Sequence, residues 1–284
     1  MNGKLHTFLC GLAMGAADVV PGVSGGTIAF ITGIYPRLLG AIESFNLEFF
    51  GLVLRFRLRE ALALIPWSFI LPLLAGIATS IFSLARAVTY VLVTWPIIIW
   101  SFFFGLMVAS ILHLGKELRL GLPSTWIGLF LGALGGWLIG GASTADIGQS
   151  LPMYFVSGFI AICAMILPGI SGSFILVLLG QYAHVIKAVA ELDFPVLIVF
   201  AFGCVCGLMS FARILNRMLK MYPNAVMAVL TGLMLGSLRT VWPWKCGTLP
   251  ALPPAFDVEV MIGLVVCLVG MAVPLGLAAL ANRK

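Results

Sequence analysis

Two short motifs rich in glycine, proline and hydroxyl side chains interrupt apolar stretches of the chain. The first reads PGVSGGT at residues 21–27, and the second reads PGISGSF at residues 168–174. If a helix begins just after each break, near Thr27 and near Phe174, its free N–H groups and the positive end of its dipole favour an anion. Glycines let the backbone approach a ligand closely, and hydroxyls donate hydrogen bonds. We therefore predict two facing anion sites, formed by Ser24, Gly25, Gly26, Thr27, Ser171, Gly172 and Ser173.

The motifs are also compatible with other roles. Each is a possible tight turn at which helices pack. The spacing Gly22-x-Ser24-x-Gly26 fits the nucleophile elbow of hydrolases, but that motif needs a strand before it and a histidine partner, and an apolar helical stretch precedes this one. The six cysteines form no C-x-x-C pair and have no histidine at metal-ligand spacing. We therefore exclude hydrolysis and expect neither enzymatic activity, nor a metal site, nor a cofactor.

The composition places these motifs in a membrane. Of the 284 residues, 62% are hydrophobic and only 9% are charged, and the mean hydropathy is +1.16, whereas about a quarter of a soluble domain is charged. The apolar runs lack the alternation of barrel strands. We predict an all-α integral membrane protein with one membrane domain, residues 1–284. The net charge of +6 lies mainly in short links between apolar segments, so we expect no nucleic-acid partner.

An internal duplication relates the two motifs. Residues 21–35 and 168–182 share seven identities, and further matches follow at a spacing shorter by 20 residues, among them Arg86 with Arg213. We predict repeat 1 at about residues 1–145 and repeat 2 at about residues 146–284. Each repeat contains one Pro/Gly-broken segment and three unbroken apolar segments: 8–39, 64–85, 90–112 and 125–142, then 152–182, 194–212, 222–238 and 258–280.

The distribution of basic residues decides how the broken segments enter the membrane. If both cross fully, the 16 basic residues divide as seven and nine, which gives no bias. If both are re-entrant hairpins, twelve lie on one side and four on the other. The positive-inside rule therefore predicts two re-entrant hairpins and six crossings, with both termini cytoplasmic. Because each repeat then crosses three times, the repeats are inverted, as is typical of secondary transporters.

Three charged residues are candidates for supporting roles. Asp18 is the only carboxylate in the first apolar run, and Met165 takes its place in the second. We expect it to couple transport to H⁺ or Na⁺, to pair with an arginine, or to cap a helix end. Arg86 and Arg213 are each predicted to end a crossing helix on opposite faces of the membrane. They are either gates or ligands of the anion on each side of the pathway, or anchors whose side chains snorkel to lipid phosphates.

Two further patterns concern packing and lipid contact. Gly128, Gly132, Gly136 and Gly140 recur every fourth residue and predict one smooth helix face for close packing. Residues 43–60 mix phenylalanines with three arginines, which indicates a cytoplasmic segment lying against anionic membrane lipids.

The doubled motif resembles that of the DUF368 family of bacterial and archaeal membrane proteins. The resemblance is carried by Ala17-Asp18 with residues 21–27, and by residues 167–173, and it extends over nearly the whole chain. It implies a flippase that returns polyprenyl phosphate, in bacteria undecaprenyl phosphate, across the cytoplasmic membrane, so that the lipid carrier is reused in envelope synthesis.

The residues themselves add a physical expectation to this resemblance. A phosphate head is expected to bind at the midplane between the two re-entrant helix N-termini, while its apolar tail stays in lipid. The chain has no G-x-x-x-x-G-K-[ST] motif, so transport is expected to run on a gradient or passively. Three alternatives remain, namely a transporter of a small soluble anion, a lipid phosphatase or transferase, and a structural subunit.

Overall fold

The computed structural model describes residues 3–20, 23–246, 249–253 and 256–281. Pro21 and Gly22 of the first motif, and the basic residues 283 and 284 used in the charge count, lie outside the described residues. The helices of the first half are α1 (Gly3–Asp18), α2 (Gly25–Ile31), α3 (Tyr35–Glu43), α4 (Leu47–Leu54), α5 (Leu58–Ala63), α6 (Trp67–Thr94), α7 (Pro96–Gly115) and α8 (Pro123–Gly140). Those of the second half are α9 (Leu151–Ile166), α10 (Gly172–Leu178), α11 (Tyr182–Glu191), α12 (Phe194–Met221), α13 (Pro223–Ser237) and α14 (Val258–Ala281).

Between α13 and α14 lies a short irregular link. It begins with the 3-10 turn Leu238–Val241 and contains two strands of two residues each, β1 (Lys245–Cys246) and β2 (Leu249–Pro250), which pair antiparallel. The described chain is otherwise helical, as predicted.

Both broken segments fold back on themselves. Gly25 lies against Asp18 at one end of the α1–α2 pair, and Thr32 lies beside Cys10 at the other end, so α2 runs antiparallel to α1. Helix α10 also packs on α9, where Gly172 lies against Ala161 and Met165. Each of these seven-residue arms is about 10 Å long, far less than the ~30 Å of a bilayer core. The chain then bends by 118° into α3 and by 108° into α11.

The return arms begin two residues earlier than predicted. Helix α2 starts at Gly25 rather than near Thr27, and α10 starts at Gly172 rather than near Phe174. The reason is local, because the preceding serines have extended backbones (φ −126° at Ser24 and φ −97° at Ser171) and take the N-cap positions.

Five described helices are long and apolar enough to cross a membrane, namely α6, α7, α8, α12 and α13, the last together with its 3-10 turn. The number is seven if each bent pair counts as one span. Helix α14 supplies a further apolar segment at the predicted place. The chain is therefore a multi-pass membrane protein.

The prediction that Arg86 and Arg213 end their helices is wrong. Helices α6 and α12 each have 28 residues, and each arginine is the twentieth, about 28 Å from the first. Each helix continues up to a residue that precedes a proline, which is Trp95 for α6 and Tyr222 for α12. The proline forces the backbone of that residue out of the helical region.

Four helix pairs form the bundle: α1 with α6, α9 with α12, α7 with α14, and α8 with α13. Glycines allow the backbones to touch in all four, and the α8 glycine face at positions 128, 132 and 136 packs on α13 as predicted. The contacts recur at matched positions of the two halves. Gly76 lies against the carbonyl of Phe8 as Gly203 does against that of Phe155, and Gly132 lies against that of Val229 as Gly270 does against that of Phe102. The close glycine contacts between helices are therefore repeated at matched positions of the two halves.

Candidate functional site

The two breaks are in direct contact at the centre of the fold. Ser24 Oγ donates a hydrogen bond to the carbonyl oxygen of Met165 (2.8 Å), just before the second break. Thr27 Oγ1 accepts one from the N–H of Gly169 (2.8 Å), within that break. Both side chains are fully buried. The structure thus brings the two motifs together, although they lie more than 140 residues apart in sequence.

Two further residues of the first half, Gly26 and Tyr35, contact the backbone just before the second break. The Tyr35 hydroxyl donates to the carbonyl of Ile166 (3.1 Å). A side chain at Gly26 would place its Cβ only 2.5 Å from the same carbonyl oxygen. The backbone of residues 165 and 166 therefore requires glycine at position 26. In this state the two breaks leave no room for a ligand between them.

The first break already holds a carboxylate. The N–H of Gly25 donates to Asp18 Oδ1 (2.6 Å), and the N–H of Gly26 donates to Ser24 Oγ (3.0 Å). Asp18 forms no ion pair with an arginine in the described part of the chain. Of the roles open to Asp18, the one visible in the geometry is the helix cap, and it fills the anion position expected at this break.

The second break has no such acid, because Met165 stands where the first half has Asp18. Ser171 makes no capping bond to α10, and its Oγ lies 2.8 Å from Ser173 Oγ instead. Gly169 adopts φ +87°, a backbone conformation that favours glycine. Ser171 borders a cavity of about 10 Å³, close to the lower limit for one water. The two breaks are therefore chemically unequal, and the second is closed to a phosphate in this state.

The matched arginines take no part in the hydrogen bonds described for the two breaks. Arg86 is exposed and Arg213 is half-buried. Neither forms an ion pair within the described part of the chain. The described residues therefore show no bond between either arginine and the serine motifs.

An apolar groove between α12 and α13 was not predicted from the sequence. Its volume is about 380 Å³, and it runs from Leu167, next to the second break, to Tyr222 at the α12–α13 junction. Its exposed rim includes Ile214, Met218 and Tyr222, so it opens sideways. It is lined by Leu167, Phe211, Ile214, Leu215, Met218, Tyr222, Ala225, Val226, Val229, Leu230 and Leu233.

The groove differs from the matched region of the first half. Phe102 and Phe103 stand at the positions matched to Val229 and Leu230, and there they border a cavity with residues of α1, α2 and α14. At its Tyr222 end the groove adjoins a pocket of about 450 Å³ that contains both Glu117 and Arg119. The apolar groove thus leads from the second break toward a pocket that residues of both halves line.

Two cations near the second break were also missed. Arg239 and Lys245 lie in the link after α13, and Thr240 between them borders the same small cavity as Ser171. Their signal in the sequence is the tryptophan-rich run TVWPWK at residues 240–245.

Comparisons with known proteins agree with the family that the doubled motif resembles. The family described as undecaprenyl phosphate translocase-like matches residues 14–250. A polyprenyl-phosphate transporter of Vibrio cholerae is 47% identical over 249 residues, 86% of this chain and 81% of that protein. A polyprenyl-phosphate transporter of Staphylococcus aureus is 30% identical over 300 residues, 99% of this chain and 98% of that protein. No solved structure matches. The chain therefore belongs to the undecaprenyl phosphate translocase-like family of membrane proteins, the DUF368 family.

Proposed function

We propose that this protein is a flippase that carries polyprenyl phosphate, undecaprenyl phosphate in a bacterium, across the cytoplasmic membrane for reuse of the lipid carrier. The observation that supports it best is the apolar groove that begins at Leu167, beside the second break, and opens sideways between α12 and α13. A lipid phosphate needs a polar place for one head and a continuous apolar path for its tail. A carrier of a small soluble anion needs the polar place but not the lateral groove.

The proposed framework is one membrane domain of two inverted repeats, residues 1–145 and 146–284, with both termini cytoplasmic. The matched glycine contacts of the two halves support the duplication. The 10 Å return arms support re-entry, because they are too short to cross the bilayer. Irregular backbone at membrane depth is stable only where protein or a polar cavity satisfies it, and here each break satisfies the other.

In this proposal the phosphate binds between the breaks when they separate. Ser171, Ser173 and the N–H of Gly172 form the more accessible side, since no carboxylate caps it. Opening releases Ser24 and Thr27 from the Met165 carbonyl and the Gly169 N–H, so that they and the backbone of residues 25 and 26 reach the phosphate. Hydrogen bonds to a charged group are stronger than the neutral ones that they replace, which favours the exchange.

Asp18 is the proposed coupling residue. Its carboxylate and a phosphate cannot share the Gly25 N–H without strong repulsion between like charges. Neutralisation of Asp18, by H⁺ or by a bound Na⁺, would release that N–H and link head binding to a cation. Arg86 and Arg213 are proposed as contacts for the head near opposite borders of the membrane.

The test is flux in proteoliposomes. A fluorescent polyprenyl phosphate is incorporated with purified protein, and the fraction in each leaflet is followed with an impermeant quencher. A soluble organic phosphate is the competitor. We expect the protein to accelerate movement of the lipid phosphate, with little competition from the soluble one. No acceleration of the lipid, together with uptake of the soluble phosphate, would replace this proposal with a small-anion carrier.

A further inference from the structure

Two cations after α13 rest on aromatic rings instead of pairing with acids. The Arg239 guanidinium lies 4.3 Å from the centre of the Trp137 ring and donates to the carbonyl of that residue (3.2 Å). The Lys245 ammonium lies 3.5 Å from the centre of the Trp100 ring and donates to the carbonyl of Thr240 (2.7 Å). We call Arg239 and Lys245 with these two tryptophans the cation cluster.

The cluster has an unbalanced positive charge. The chain has ten acidic residues, all in the described part, and none forms an ion pair with Arg239 or Lys245. Both cations are half-buried. Burial lowers the pKa of Lys245 to about 8, which means that its surroundings disfavour the charged form. A lipid-facing anchor would extend its charge into water, whereas these two side chains lie over the Trp137 and Trp100 rings.

The cluster lies at the mouth of the second break. Thr240 and Ser237 border the same small cavity as Ser171, and a Cβ at Gly169 would be 2.5 Å from Ser237 Oγ. A Cβ at Gly141 would be 2.5 Å from Arg239 Nη1, which places the guanidinium over the end of α8. A continuous set of contacts thus leads from the two cations to the Ser171 hydroxyl.

We propose that the cation cluster is a loading site for the phosphate head of the lipid, which receives it from the outer leaflet and passes it to Ser171 and Ser173. This inference rests on the proposed function and on the proposed topology. Arg239 uses one of its five N–H donors on a carbonyl, so a fork remains for two phosphate oxygens, and Lys245 adds a point charge. Both present partners are neutral and exchange readily for a charged acceptor.

The site is specific to one half of the duplication. Ser110 matches Ser237 at the shared spacing, and two residues later Leu112 stands where the second half has Arg239. The repeat alone therefore does not produce this pair of cations, and the loading site is expected on one face of the membrane only.

The test uses the leaflet-resolved flux assay with Arg239→Gln, Arg239→Lys and Lys245→Gln. The matched control is Lys187→Gln, a cation on the same proposed face that pairs with Glu191. We expect Arg239→Gln to lower the rate from the outer leaflet about tenfold to a hundredfold at limiting lipid, since a charge-assisted bond is lost. Arg239→Lys should be intermediate, and the control should match the wild type.

Binding separates lipid from free phosphate. A short-chain prenyl phosphate should change tryptophan fluorescence, because it draws the cations off their rings, whereas the corresponding prenol and inorganic phosphate should have much weaker effects. Unchanged outer-leaflet rates in the double variant Arg239→Gln/Lys245→Gln would overturn the loading site. A wild-type protein that moves no lipid phosphate would overturn the proposed function itself. If Arg239→Gln does not fold, Arg239→Lys and Lys245→Gln still decide the question.

Discussion

The two serines of the doubled motif should respond differently to the same substitution. In this state Ser24 makes two hydrogen bonds, at 2.8 Å to Met165 and at 3.0 Å from Gly26, and it is fully buried. Ser24→Ala removes both and leaves a buried N–H without its partner, which costs about 1–3 kcal/mol. Ser171 bonds only to Ser173, so Ser171→Ala should cost well under 1 kcal/mol of folding stability.

We expect the substitution that costs less folding stability, Ser171→Ala, to have the larger effect on transport. If Ser171 binds the phosphate, Ser171→Ala loses a hydrogen bond to a charged group, about 1.5–3 kcal/mol or roughly a tenfold to hundredfold fall in rate at limiting lipid. The assay pairs thermal unfolding in detergent with leaflet-resolved flux for both variants. Wild-type flux by a well-folded Ser171→Ala protein would refute the role of the second break in head binding. Equal loss of stability by both variants would refute the structural asymmetry.

Three further predictions use the same preparations. With the natural cysteines removed, single cysteines at positions 55 and 86 should react with an impermeant reagent from opposite sides of the membrane, and labelling from one side would contradict the re-entrant topology. Lys substituted for Arg86 or Arg213 should slow flux from the leaflet that each residue faces, because the bidentate fork is lost; full rates in both variants would identify them as anchors. Since the pKa of Lys245 is lowered to about 8, its charge is lost as pH rises through that value. Outer-leaflet capture at limiting lipid should therefore fall between pH 7 and pH 9 in the wild type but not in Lys245→Arg, and identical pH profiles would remove Lys245 from the loading site.

Much of the fold follows from the sequence because its causes are local. The Pro/Gly breaks interrupt apolar segments at two matched places, and the structure bends the chain beyond each of them. The four-residue spacing of the α8 glycines identifies a packing face without any knowledge of the partner helix. The sequence predicts α6 and α12 too short, because a charged arginine resembles a helix end, whereas the prolines at 96 and 223 set the actual ends.

The site is harder to predict, since it depends on contacts between distant residues. The sequence shows an acid at Asp18 and Met165 at its counterpart, but only the fold shows that this acid caps the first break. The lateral groove requires α12 and α13 to diverge beside Leu167, which no periodicity encodes. Arg239 and Lys245 look like ordinary loop charges until the link places them over Trp137 and Trp100.

The central claim is that the lipid tail follows the groove while its head passes the breaks. It is tested most directly by the flux of fluorescent polyprenyl phosphate in proteoliposomes that contain Val229→Phe, which puts into the groove the ring found at the matched position 102. The control is Val205→Phe, an exposed α12 residue that does not line the groove. Since the added ring fills part of a space of about 380 Å³, a Val229→Phe protein that thermal unfolding in detergent shows to be folded should lose most of its lipid flux, while Val205→Phe keeps wild-type rates. Full lipid flux through a folded Val229→Phe protein would contradict the account.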